Sequence, residues 1–81
     1  MSEANATFER ILPVTPEDDK KLPASNAISC NASGIVAMRI RGGDVITKYL
    51  LAGVDYPYAV TEVLEAGSGT TATGIHLSYY A

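Results

Sequence analysis

The chain has 81 residues, a formal net charge of −3, and only one cysteine and one histidine. This length suits one domain and is short for two, and a domain of this size buries only about 60% of the surface that its unfolded chain exposes. One cysteine excludes an intrachain disulfide, and one cysteine with one histidine is too few for a structural zinc site. We therefore expect no metal or other cofactor, and we expect the small core to be supported by association with other copies or with a larger body.

The acidic balance argues against a nucleic-acid partner, because phosphate binding draws on clustered Lys and Arg. The six basic residues are scattered, and the pair Lys20–Lys21 directly follows three acidic residues. No apolar run approaches the roughly 20 residues that span a bilayer, and residues 1–5 lack the charged and apolar regions of a signal peptide. These patterns predict no membrane partner and a chain that is made in the cytoplasm.

Residues 1–13 are predicted to form an extended N-terminal arm that becomes ordered on binding, ahead of a single β domain over residues 14–81. Within this part of the chain, Phe8–Val14 shows a weak strand pattern that Pro13 is expected to end. Its alternation would place Phe8, Arg10 and Leu12 on one face and Glu9 and Ile11 on the other. Residues 15–23 carry five charges between two prolines and are predicted to be a solvated connection.

From Ala27 onward, apolar and polar residues alternate in short runs that are typical of strands. The Gly42–Gly43 pair predicts a tight hairpin turn, Pro57 leads into a further strand, and Gly67–Gly69 forms the turn before the last strand. Five or six short strands with turns about every ten residues predict an all-β fold, a small antiparallel β-sandwich or barrel. The last strand carries neither charge nor proline, so we expect its edge to be open and to be a place where subunits meet.

No group of residues predicts a catalytic site. His76 and Ser78 lie on the same face of a strand, and we interpret His76 as an ordinary half-exposed strand residue. Cys30 alternates with apolar residues, which favours a buried side chain over an interchain contact. The acidic residues 17–19 are adjacent on a charged loop, which does not make them a catalytic pair. The glycines of 67–71 lack the lysine and the following helix of a phosphate-binding loop.

Five of the six aromatic residues are tyrosines. Tyrosine suits protein interfaces because its ring is apolar and its hydroxyl tolerates water. The strand pattern turns Tyr79 towards the core and leaves Tyr56, Tyr58 and Tyr80 as interface candidates.

Several short motifs, taken in their order and spacing, resemble a phage protein family. They are the loop that starts at Val14-Thr15-Pro16 and closes at Leu22-Pro23, the double run from Ala27 to Ile40, the Gly43-Asp44 turn, the strand that follows Pro57, and the closing segment GTTATGIHLSYY. The family is that of the head-spike base proteins of gene transfer agents and related tailed phages. The likeness spans residues 14–80, and Gly74 stands where an aspartate is usual in the family.

The resemblance implies a non-enzymatic virion structural protein that sits on the capsid surface after synthesis in the host cytoplasm. It implies a homopentamer at a capsid vertex that anchors a spike or fibre, with further copies of itself, the major capsid protein and a spike or fibre protein as its partners. The expected interface residues are Phe8, Ile11, Leu12, Tyr56, Tyr58 and Tyr80, and the arm is the expected docking element. Two alternatives remain: a trimeric capsid cement protein, and a carbohydrate- or receptor-binding module that uses Tyr56, Tyr58 and Tyr80.

Overall fold

The computed structural model describes residues 8–80, and these residues form six short strands. The strands are β1 (Phe8–Val14), β2 (Ala27–Ser29), β3 (Gly34–Ile40), β4 (Val45–Leu50), β5 (Val60–Val63) and β6 (Ile75–Tyr80), with a single turn of 3₁₀-helix at Ala66–Ser68. The predicted all-β fold is confirmed. Within the described range, no helix has the length and hydropathy to cross a membrane.

The strands form two antiparallel sheets of three strands, in the orders β1-β6-β2 and β4-β3-β5. One hydrophobic core joins residues from both sheets: Ile28, Ile75 and Leu77 from the first, and Val36, Met38, Leu50, Val60 and Val63 from the second. The prediction that the last strand has an open edge is wrong, because β6 lies in the centre of its sheet. Alternation of apolar residues reports which face of a strand is buried against the core, and it does not distinguish a central strand from an edge strand.

The hairpin between β3 and β4 forms where the two glycines predicted it. The Gly43 N–H donates to the Ile40 carbonyl at 2.8 Å, and Gly43 adopts a φ of 98°, which few residues other than glycine tolerate.

Strand β1 differs from its predicted pattern in two ways. Pro13 does not end the strand, which continues to Val14. A register shift between Phe8 and Arg10 also places Phe8 opposite Tyr80 and Arg10 opposite Tyr79. This bulge moves Phe8 onto the face of Ile11, away from Arg10 and Leu12, because an extra residue reverses the alternation of side chains. Residues 8–13 of the predicted arm are thus paired within the sheet, and residues 1–7 lie outside the described range.

Residues 15–23, predicted to be a solvated connection, keep four of their five charged residues exposed, but the backbone of residues 17–25 is hydrogen-bonded to the domain. They follow the outer edge of β5, where backbone N–H groups of Glu17, Leu22 and Ser25 donate to carbonyls of β5 at 2.7–3.0 Å. The Asp18 carboxylate accepts hydrogen bonds from the Glu65 N–H and the Ser68 hydroxyl, both at 2.9 Å. The Asp18 carboxylate therefore helps to hold this segment against the domain by accepting from a backbone and a hydroxyl donor.

The segment 70–74 connects the second sheet to the first. Its threonine hydroxyls accept hydrogen bonds from the backbone of β3, and the Thr73 carbonyl accepts from the N–H groups of Asn31 and Ala32 at 3.1 Å. The threonine-rich motif near the end of the chain is therefore a structural link between the sheets.

Candidate interaction surfaces

Three of the six predicted interface residues, Phe8, Ile11 and Tyr80, share the outward face of the first sheet. The rings of Phe8 and Tyr80 stack with their centroids 5.0 Å apart, and Tyr80 is 49% exposed. Ile11 lies opposite Ser78, two residues before Tyr80, and is 60% exposed. We call Phe8, Ile11 and Tyr80 the β1 patch. It exists because the bulge in β1 brings Phe8 onto this face.

The other paired residues on the outward face of the first sheet include no aspartate, glutamate, lysine or arginine. They are Pro13, Ala27, Ser29, His76 and Ser78. Ala27 and Ser78 are already buried, so a partner would cover mainly the other three, and none of those is a carboxylate, lysine or arginine whose removal from water would be costly.

Leu12 lies on the opposite, inward face of β1, where it pairs with the buried Leu77. The neighbouring Arg10 places its guanidinium 5.6 Å from the centre of the Tyr79 ring. Tyr79 in turn donates its hydroxyl to the Pro23 carbonyl at 2.8 Å. Leu12 is thus separated from the other predicted interface residues of β1 by the sheet itself.

Tyr56 and Tyr58 form a separate pair whose rings are parallel, with centroids 6.4 Å apart, and both pack against the core. Tyr56 exchanges two backbone hydrogen bonds of 2.8 Å with Ile28, and its hydroxyl accepts the Leu51 N–H at 3.0 Å. These contacts cover the outer edge of β2. The structure does not assemble Tyr56, Tyr58 and Tyr80 into one stacking surface.

A second exposed apolar cluster, which the sequence did not identify as an interaction surface, lies on the outward face of the second sheet. It consists of Ile35, Val45, Tyr49 and Leu51, and we call it the β4 patch. Tyr49 is 62% exposed and lies opposite Ile35. The alternation of residues 45–51 already placed three of these side chains on one face. Only the pairing of β4 with β3 shows that this face is turned outward.

The four lateral strands of the two sheets differ in how their outer edges are covered. Tyr56 covers β2, and residues 17–25 cover β5. Within residues 8–80, the outer edges of β1 and β4 have no strand beside them. Open edges present unpaired backbone groups that favour pairing with another strand.

An open groove of about 790 Å³ lies between the end of β1 and the segment before β6. Its lining contains Pro13–Pro16, Asn31, Ala66 and residues 70–76, among which His76 is the one titratable side chain. In the part of the chain that the structure describes, no three His, Cys, Asp or Glu side chains lie close enough to hold a metal ion.

Cys30 is buried in the core, with its thiol 3.8 Å from the Leu50 carbonyl. Burial raises the pKa of the Cys30 thiol from its ordinary value of 9.0, so the thiol is protonated at neutral pH. The prediction of a buried, apolar role for this residue is confirmed.

Comparison with solved structures found a chain from the capsid of a native GTA particle, computed with C5 symmetry. The two chains share 27% sequence identity, and the TM-score is 0.78. The match covers 89% of this chain and 83% of that chain. This protein resembles a component of a gene transfer agent capsid. No family model and no curated protein matches the chain.

Proposed function

We propose that this protein is a non-enzymatic structural component of a virion and forms the base of a spike at a capsid vertex. The observation that carries the proposal is the match to a chain of the GTA capsid over 89% of this chain, with a TM-score of 0.78. At 27% identity, the likeness includes the sequence as well as the fold.

Two further observations support the vertex position. The short motifs from Val14 to Tyr80 resemble spike-base proteins in their order, and the structure gives the closing motif a definite role in joining the sheets. The C5 symmetry stated for the GTA capsid is the symmetry of a ring of five subunits. The proposed partners are therefore further copies of the chain in a homopentamer, the major capsid protein, and a spike or fibre protein. The proposed location is the capsid surface.

The exposed apolar residues fit this function, because large apolar side chains grouped on one surface commonly mark contacts between proteins. By contrast, a carbohydrate-binding module would need its tyrosine rings together and accessible. Tyr56 and Tyr58 stack on each other against the core, whereas Tyr80 stacks on Phe8.

The proposal is tested by cryo-electron microscopy of particles that carry a tagged form of the chain, compared with particles from a strain without its gene. Extra density at the five-fold vertices is the expected result. Density between capsomers would instead indicate a cement protein, and particles free of the chain would overturn a role in the virion.

The docking role of the N-terminal arm needs a deletion that leaves β1 in place. Removing residues 2–7 spares every residue that pairs with β6, whereas removing residues 2–13 also takes away most of β1. We expect the shorter deletion to fold and to lose its attachment to particles. Full attachment of a folded protein that lacks residues 2–7 would show that the arm does not dock it.

A further inference from the structure

Each group of strongly exposed apolar residues lies beside one open strand edge. In the described chain, the large apolar side chains with high exposure are Ile11 and Tyr80 beside β1, Ile35, Val45, Tyr49 and Leu51 on or next to β4, and Val54 in the turn before Tyr56. The two covered edges, at β2 and β5, have no such cluster. We infer that the β1 patch and the β4 patch are the two halves of one head-to-tail interface, in which β1 of one copy pairs with β4 of the next. This inference deepens the proposed function and rests on it.

The backbone of β4 is arranged for such pairing. The N–H and C=O groups of Ile35 bond to Thr71, so they point away from β4. Directly opposed antiparallel residues both turn their backbone groups either towards each other or outward. Tyr49, which faces Ile35, therefore turns its N–H and C=O groups to the open edge, while its side chain contributes to the β4 patch. The same residue offers backbone and apolar contacts.

The same reasoning applies to β1. Ile28 exchanges hydrogen bonds with Tyr56, so its backbone groups point away from β6, and those of the opposing Leu77 point towards Leu12. Because the direction alternates along a strand, the backbone groups of Ile11 face the open edge. Pro13, two residues on, also faces that edge, where it offers a carbonyl but no N–H, so a partner strand can bond to both backbone groups of Ile11 and to the Pro13 carbonyl alone. Ile11 thus has the same double role in β1 as Tyr49 has in β4.

The occupant of each edge is a second copy of this chain, because one copy carries both halves. The two edges belong to different sheets, and the strands have seven and six residues, so they match in length to about 20 Å. The large side chains of the two patches are apolar, and the charged group next to them is Arg39, which lies opposite Val45 and is already paired with Glu62 at 3.3 Å. Symmetric pairing of β1 with β1 would leave β4 open, whereas head-to-tail pairing covers both edges of each inner copy and generates a ring when the rotation from copy to copy closes.

The test uses two full-length variants, Ile11→Glu and Tyr49→Glu, each of which damages one half of the interface. Native mass spectrometry should give an oligomer for the wild-type protein and a monomer for each variant alone. A mixture of the two variants should give a one-to-one heterodimer, because Ile11→Glu keeps an intact β4 patch and Tyr49→Glu keeps an intact β1 patch. A symmetric β1–β1 or β4–β4 interface cannot produce this result.

The matched control is Lys21→Gln, which makes the net charge more negative by the same one unit at an exposed position outside both patches. It should assemble as the wild type does. Circular dichroism and the unfolding midpoint of each variant establish that it is folded, as its exposed position leads us to expect.

The inference is overturned if the wild-type protein is a monomer at every concentration tested, if a folded variant still assembles, or if the mixture stays monomeric. A wild-type monomer that still binds particles would overturn this interface but not the role in the virion. A ring that fails to bind particles would support the interface and overturn the role in the virion.

Discussion

Thr71 and Ile35 form two hydrogen bonds with each other across the junction between β3 and the segment before β6. The Thr71 N–H donates to the Ile35 carbonyl at 2.7 Å, and the Ile35 N–H donates to the Thr71 hydroxyl oxygen at 2.9 Å. Thr70 acts in a similar way on Ala37, whose N–H donates to its hydroxyl at 3.0 Å. Threonine side chains therefore satisfy the backbone of β3 where no strand lies beside it.

The first prediction compares these two threonines. Thr70 is buried, so Thr70→Val leaves the Ala37 N–H without an acceptor in the interior and should lower the free energy of unfolding by about 2 kcal/mol. The Ile35–Thr71 bond is exposed, so water can replace the hydroxyl, and Thr71→Val should cost about 0.7 kcal/mol. Urea unfolding measures both. Thr73→Val is the control. Equal losses of unfolding free energy at Thr70 and Thr73 would show that the hydrogen bond from Ala37 to Thr70 is not the source of the effect.

The second prediction concerns two glycines that differ in their surroundings. A Cβ atom added to Gly34 would lie 2.7 Å from the Ala72 nitrogen and 2.8 Å from its Cα, whereas one added to Gly42 would meet nothing within 4 Å. Backbone cannot move aside as a side chain can, so Gly34→Ala should destabilise by about 3 kcal/mol. Gly42→Ala should change stability by no more than about 0.5 kcal/mol. Thermal unfolding of both variants decides this, and a mild effect at Gly34 would show that the segment around Ala72 can shift.

The third prediction concerns the buried carboxylate of Glu62. It accepts the Asp19 N–H at 2.8 Å and the Arg39 Nε–H at 3.3 Å. Glu62→Gln removes a charged acceptor from a buried position and should cost about 2 kcal/mol in chemical unfolding. Arg39→Gln should cost less than about 1 kcal/mol, because the Arg39 side chain is 40% exposed and water screens the pair. The exposed Glu65→Gln is the control, and a larger loss at Arg39 than at Glu62 would reverse our ranking.

The fourth prediction concerns pH. Burial raises the pKa of Cys30 above its ordinary 9.0, so the folded state holds this proton more tightly than the unfolded state does. The resulting stability is fully present below pH 9.0 and is lost as the pH rises through the raised pKa. The unfolding midpoint should therefore fall above pH 9.0, and Cys30→Ala should flatten that fall whatever its effect at neutral pH.

Tyr79 is the control for this experiment. Burial also raises its pKa, from an ordinary value of 10.0, and the nearby Arg10 opposes the rise. Tyr79→Phe should therefore change the slope just above pH 9.0 less than Cys30→Ala does, and it should flatten the slope mainly above pH 10.0. If Cys30→Ala retains the full slope, the thiol is not its source.

The pattern of the sequence by itself determined the all-β class, the hairpin at Gly42–Gly43 and the buried position of Cys30. These features depend on neighbouring residues, because a period of two assigns side chains to faces and paired glycines permit the tight turn. For the candidate surfaces, the pattern identified Phe8, Ile11 and Tyr80 individually. It also placed Val45, Tyr49 and Leu51 on one face of a strand.

The tertiary structure alone decided which strands are neighbours and which faces and edges stay open. It placed β6 in the centre of its sheet, laid residues 17–25 along β5, and moved Phe8 onto the face of Ile11 through a bulge. The physical reason is that pairing and register join residues far apart in the chain, such as Phe8 and Tyr80, while alternation records only that a side chain is turned one way or the other.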